Sequence, residues 1–357
     1  MKLRFKLSTG IAAISAFALL VTGCGTNSSP TSDAKTSNSG GSSSSAPTIK
    51  IMVGGMSKII YLPAELTARL GYFKQEGLNV QLLDETAGVS AEDELVSGQV
   101  DGVVGFYDHI IDLQAKGKNL VDVVQLNATP GERLMVVNSE KNQIKTLADL
   151  KGKKIGVTDL GSSTNFLASY LVVKGGNSAS SYTPVPVGAG QTLIAAMQQG
   201  RIDAAVTTEP TVSLLEQKNL AFPLVDMASV DAMNKVLGGT YPASCFYMKA
   251  DYVQAHPDVV QKLADAFVKT MQYIHTHTPE QIADQLPSEY YAGNKQMYLM
   301  ALTKSMPMFT PDGKMPTNGP ETVLNVLTAF NPQLKHANIN LSATYTTQFV
   351  DKALQGH

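Results

Sequence analysis

The chain has no tryptophan, only two cysteines and no excess of either charge, with 28 basic against 30 acidic residues for a formal net charge of −2. Its intrinsic fluorescence therefore rests on tyrosine. The mildly acidic balance argues against a basic face, and so against nucleic acid as a partner. Long apolar runs are also missing, since the stretch from Ile11 to Val21 falls short of the roughly 20 residues a membrane span needs. Catalytic signatures are absent too: no G-x-S-x-G elbow, H-E-x-x-H, C-x-x-C or P-loop occurs. His275 and His277 stand two apart, so on a helix they point to different sides and form no compact metal pair. The expectation is a chain without catalytic residues, cofactor or metal.

What is present begins at the N-terminus. Lys2, Arg4 and Lys6 precede the apolar run, Thr22-Gly23-Cys24 ends it, and a polar stretch with Gly40-Gly41 and four serines from Ser42 to Ser45 follows. That is a secretory signal whose cleavage site ends in cysteine rather than in an A-x-A pattern. Val21-Thr22-Gly23-Cys24 resembles a bacterial lipobox, which implies cleavage before Cys24 and a lipid on its sulfur. Residues 1–23 are then a signal peptide and 24–47 a lipid-anchored tether, too poor in apolar surface to repay ordering. The implied location is the extracytoplasmic face of a cell membrane, with the long leash suited to a Gram-positive surface. Removing 1–23 strips three basic side chains and moves the formal charge to about −5. With Cys24 lipidated, Cys245 has no partner for an intramolecular disulfide. It lies in the strand-like run Ser244-Cys245-Phe246-Tyr247-Met248 and reads as a small buried hydrophobe.

The body carries a weak internal repeat. Ile49-Lys50-Ile51-Met52-Val53 runs into Gly54-Gly55-Met56-Ser57, and about a hundred residues on Lys154-Ile155-Gly156-Val157 runs into Asp159-Leu160-Gly161-Ser162-Ser163-Thr164. Each unit is followed by a helix end, a glycine at a left-handed cap, an aspartate and an apolar strand: Gly98 to Val104, then Gly200 to Val206. Alternating helical and short apolar segments predict two α/β lobes, each on a mainly parallel sheet. Helices are predicted from Pro257 with Val260, Leu263, Phe267, Met271 and Ile274 on one face, and around 293–305 and 318–330. This C-terminal block is expected to cover the first lobe. Ligands of open α/β sheets sit beyond the carboxyl ends of strands. The repeat thus nominates four loops, at 54–58, 106–109, 161–164 and 207–210, facing one another across a cleft.

Tyr61-Leu62-Pro63-Ala64-Glu65, the element from Leu70-Gly71-Tyr72-Phe73 to Gly77-Leu78-Asn79-Val80, and Leu147-Ala148-Asp149-Leu150-Lys151-Gly152-Lys153 are similar to solute-binding proteins of the nitrate/sulfonate/taurine class, which has pyrimidine-binding relatives. The resemblance covers most of 48–290 and implies the type II two-lobe periplasmic-binding-protein fold with a double crossover. It implies lobe 1 at 48–138 plus 245–357 and lobe 2 at 139–244, with crossovers near 133–138 and 241–244. A monomeric ABC-importer receptor is implied, with a small-molecule ligand, a membrane permease as partner and the bilayer reached through Cys24. Sulfonate- or taurine-like anions and zwitterions lead; a pyrimidine thiamine precursor or an aromatic carboxylate is the alternative, and a surface-tethered sensor module the alternative of another class. Some relatives make a thiamine pyrimidine with a cysteine-rich segment that this chain lacks.

The binding candidates follow from loop chemistry. Gly161, Ser162, Ser163 and Thr164 combine free helix-start amides with three hydroxyls, a ready anion site, or simply cap the helix. Gly55 permits close backbone approach and Met56 offers an adaptable wall. Lys58 is either an anion partner or, more commonly for lysine, a surface residue. Phe106 or Tyr107 walls the cleft, Asp108 caps a helix or contacts ligand, and His109 packs. Glu209 is either a helix-start acid or the receptor of an amino group. Tyr241, at the return crossover, reaches the ligand.

Overall fold

The computed structural model describes residues 48–291 and 293–356; the expected signal peptide, Cys24 and the tether lie outside the described residues. Strands β1 (Thr48–Val53), β2 (Asn79–Asp84), β3 (Gly102–Phe106) and β4 (Leu120–Gln125) come first. Then follow β5 (Glu132–Val137), β6 (Lys154–Val157), β7 (Thr183–Pro186), β8 (Ala204–Thr208), β9 (Ala221–Asp226) and β10 (Ser244–Lys249). They form two five-stranded sheets of one plan, β2-β1-β3-β10-β4 and β7-β6-β8-β5-β9. In each sheet four strands run in one direction, and the fourth in spatial order is antiparallel to both its neighbours. That reversed strand, β10 or β5, is the one entering from the other lobe. A chain arriving across the cleft meets the sheet at its carboxyl end and must run against β3 or β8. This is the periplasmic-binding-protein fold.

The repeated aspartate has a physical explanation. The Lys50 amide donates to Asp101 Oδ2 at 2.8 Å and the Lys154 amide to Asp203 Oδ2 at 2.7 Å. In return the amides of Asp101 and Asp203 donate to the carbonyls of Lys50 and Lys154 at 2.9 and 2.8 Å. Each aspartate clasps β1 or β6 near its start, and a left-handed glycine (Gly98 at φ 82°, Gly200 at φ 65°) turns the chain into position.

One boundary differs from the sequence expectation. Residues 133–138 were expected to cross between lobes, but Glu132–Val137 is strand β5, paired with β8 and β9. Glu132 and Arg133 give its start a loop-like polarity, while Leu134, Met135 and Val136 are buried as a core strand requires. The chain therefore changes lobe at 126–131. The return passage lies against it, with the Ala243 amide donating to Asn127 O at 3.1 Å and the Leu126 and Asn127 amides to Ser244 O at 2.9 Å.

The C-terminal block also differs, because it touches both lobes. The amphipathic helix Pro257–Thr276 packs on the first sheet, with Phe267 against Phe73 and Phe246 at 5.4 and 4.9 Å between ring centroids. Helix Gly319–Phe330 packs on helix Ser163–Lys174 of the second lobe, and Phe330 lies 5.9 Å from Phe166. Met297 joins the second lobe's core beside Leu214 and Leu215. Cys245 is free and fully buried, as its strand-like setting predicts. No helix among the described residues is long and apolar enough to cross a membrane.

Candidate ligand-binding cleft

A small cavity of about 20 Å³ lies between the lobes, room for about one water molecule. Lys58, Ile60, Tyr61, Gly88 and Phe106 line it from the first lobe; Glu132, Thr158, Ser162, Ser163, Thr164, Ala189, Thr207 and Thr208 line it from the second. All four nominated loops reach it or its immediate wall.

Residues 161–164 turn from β6 into helix Ser163–Lys174. Gly161 takes a left-handed φ of 83° and its amide donates to Asn165 Oδ1 at 3.0 Å. The hydroxyls here hold one another: Ser162 Oγ and Thr158 Oγ1 lie 2.7 and 2.9 Å from Thr164 Oγ1, and Ser162 Oγ donates to Asp159 O at 2.7 Å. No side chain caps this helix, so the first-turn amides of Ser163 and Thr164 have no partner in the helical ladder. Unclaimed amides at the positive end of a 12-residue helix favour a negative ligand group.

Ser163 also bridges the lobes. Its hydroxyl donates to Asp108 Oδ1 at 2.7 Å and lies 3.3 Å from His109 Nε2, while Tyr241 Oη donates to Asp108 Oδ2 at 2.8 Å. Asp108 and Tyr241 therefore stand behind the cavity wall instead of lining it. Burial raises the Asp108 carboxyl, and His109, Ser163 and Tyr241 work against that rise. His109 is packed, as expected, and its Nδ1 faces Glu92 Oε2 at 2.9 Å. Burial alone would lower its imidazole; Glu92, then Asp108 and Asp112, outweigh burial and hold it up at about 9.

Lys58 is buried, not on the surface, and its Nζ donates to Gly54 O at 2.7 Å and Thr86 O at 2.9 Å. Burial brings its ammonium down to about 8, against Glu132 and Asp84. Gly55, at φ 117°, is not on the lining; it makes room for Lys58, since a Cβ there would lie 2.7 Å from Lys58 Cε. Met56 lies off the cavity too, its amide donating to Asp84 Oδ1 at 2.7 Å. Of the two aromatics, Phe106 lines the cavity, whereas Tyr107 turns into the core and bonds Thr344 Oγ1.

Glu209 departs from the amine-receptor reading. Arg133 Nη1 approaches its Oε1 at 3.4 Å, the Ser213 amide donates to its Oε2 at 2.9 Å, and it is absent from the cavity lining. Burial raises its carboxyl, opposed by Ser213, Arg133 and Lys304. It serves as a helix-start acid.

The sequence reading missed Ile60, Gly88, Glu132, Thr158 and Ala189 as lining residues, and gave Tyr61 only through the family motif. Glu132 follows Pro130-Gly131 and stands just before the expected crossover at 133–138, outside all four nominated loops. The pairing of β5 supplies what sequence polarity alone did not.

This two-lobed α/β architecture, with a polar cavity between lobes at the carboxyl ends of the strands, has the form of the solute-binding proteins of ABC importers. The chain belongs to the NMT1/THI5-like family, whose sequence pattern matches residues 62–282. It is similar to a solved protein from Bordetella bronchiseptica RB50, 34% identical with a TM-score of 0.83, covering 86% of this chain and 97% of that one. The alkanesulfonate-binding protein SsuA from Xanthomonas axonopodis pv. citri, solved bound to MOPS, shares the fold at a TM-score of 0.66 and 19% identity, covering 84% of this chain and 98% of that one. A curated relative, 4-amino-5-hydroxymethyl-2-methylpyrimidine phosphate synthase of Aspergillus parasiticus, is 27% identical over 82% of this chain and 84% of its own length.

Proposed function

We propose that this chain is the extracytoplasmic solute-binding component of an ABC importer, capturing a small organic anion or zwitterion of the sulfonate or taurine type as its lobes close. The observation that carries this reading is the inter-lobe cavity itself. One wall is an uncapped helix start rich in hydroxyls, and the opposite wall carries the buried Lys58. An anionic head fits between helix amides and an ammonium. Binding then favours the closed arrangement by as much as the ligand prefers it over the open one. Lipid on Cys24 keeps the receptor beside its permease, and the protein binds its ligand without chemistry.

A second reading, an aminopyrimidine ligand, is favoured by the similarity to a pyrimidine phosphate synthase and by the edge-to-face pair Tyr61 and Phe106 at 6.2 Å. A thermal-shift series with taurine, alkanesulfonates, nitrate and aminopyrimidines separates the two. A true ligand at 100 times its Kd adds about 2.7 kcal/mol of stability. Stabilisation by the sulfur acids supports the first reading, stabilisation by pyrimidines alone replaces it with the second, and silence from all of them at millimolar concentration overturns both. The anchor is checked in the same preparations: Cys24→Ala is expected to leave a full-length chain without the lipid mass, and unchanged mass would remove the anchor from the proposal.

A further inference from the structure

Glu132 enters the cavity from the first residue of β5 with 2% of its surface exposed. Its Oε2 is buried and has no hydrogen-bond partner. Buried polar atoms are ordinarily paired, so an unpaired carboxylate oxygen on a cavity wall needs an explanation. The charged groups around it are Asp108, Lys58 and His109, and none of them hydrogen-bonds to that oxygen. Lys58 donates to the carbonyls of Gly54 and Thr86, His109 faces Glu92, and Asp108 accepts from Ser163 and Tyr241. The neighbouring Arg133 points to Glu209 and Asp226, at 3.4 and 3.2 Å.

We propose that Glu132 selects ligands bearing an amino group, its free oxygen accepting a hydrogen bond from the ligand's N–H while the ligand's other end faces the helix start. The inference rests on reading the cavity as a solute site. The shared chemistry is an amine donor, whether the ammonium of an aminosulfonate or the exocyclic amine of a pyrimidine. Burial, with Asp108, pushes the Glu132 carboxyl up to about 8 against Lys58 and His109. In the free protein at pH 7 it is mostly protonated, so pairing with an ammonium releases a proton.

The test is calorimetric titration of wild type, Glu132→Gln and Glu132→Leu with two matched pairs: taurine against isethionate, and 4-amino-2-methylpyrimidine against 2,4-dimethylpyrimidine. Wild type is expected to bind the amine member of one pair at least about tenfold more tightly, the step of an ordinary charge-assisted bond. Glu132→Gln is expected to erase that preference for the taurine pair, and Glu132→Leu, which removes the acceptor altogether, for the pyrimidine pair, while the partner without the amine keeps its affinity. For taurine, titration in buffers of different ionisation enthalpy should show release of about one proton in wild type and none in Glu132→Gln. Glu132→Asp, which keeps the carboxylate, is expected to keep the preference, and serves if the glutamine variant does not fold. A wild type indifferent to the amine, or a variant that weakens both members of a pair equally, overturns the inference and leaves the solute site standing. Binding of none of the four compounds by any of these proteins removes the site reading and this inference with it.

Discussion

At the residue scale the cleft holds two ionisable groups out of water. Lys58 is folded back by Gly55 onto two backbone carbonyls, and Glu132 faces it with an oxygen to spare. Neither was legible as such. A lysine in a glycine-rich loop ordinarily lies on the surface, and only the left-handed Gly55 brings it inside. With its ammonium down at about 8, Lys58 is charged at neutral pH and loses its proton above that value. For a ligand without an amine, such as isethionate, affinity is therefore expected to be flat from pH 6 to 7. Above pH 8 it should fall, approaching tenfold per pH unit. Titration calorimetry across pH 6–9.5 checks this; an affinity still constant at pH 9.5 removes Lys58 from anion recognition.

At the scale of elements, the junction of β3 with the helix Asp108–Ala115 holds a buried charge network. His109 sits between Glu92 and the Asp108–Ser163 bond, and so ties the first lobe's helices to the helix start on the cavity wall. Its pKa of about 9 is raised above the ordinary value near 6.5. The stability it contributes is thus present in full below about pH 6.5 and is lost as pH rises through 9. Glu92→Gln is expected to cost about 3 kcal/mol at pH 6.5 by leaving a buried cation unpaired, and much less at pH 9.5. Urea unfolding of both proteins at the two pH values measures it, and a cost that does not shrink with pH contradicts a charged His109. The helix start at 162–164 was legible because hydroxyls and glycine mark a helix N-terminus in any context. The His109–Glu92 pairing was not, since it joins residues of two helices whose packing no local pattern reveals.

At the scale of the molecule, the two lobes were legible in the repeat, whose Gly-x-x-Asp clasps recur with one geometry in both sheets. The reversed strands β5 and β10 were less so, because which lobe a strand joins is decided by long-range pairing. The C-terminal block, expected on the first lobe alone, reaches both, and its helix Gly319–Phe330 rests on the same helix whose start lines the cavity. The two crossovers, at 126–131 and 238–243, lie side by side between the lobes. The absence of tryptophan makes lobe closure measurable. Leu160 is 52% exposed on the loop leading to Ser162, and the adjacent Gly161 faces Val89 of the first lobe, so a Cβ there would meet Val89 Cγ2 at 3.6 Å. In a Leu160→Trp variant the single indole reports the rim of the cleft. The account expects a saturable change in its emission with taurine, or with the strongest binder of the thermal-shift series, and none with that compound in a Leu160→Trp/Ser163→Trp double variant whose cleft is filled. A ligand that stabilises the protein while leaving the Leu160→Trp emission unchanged, or changing it equally in the filled variant, would contradict binding between closing lobes.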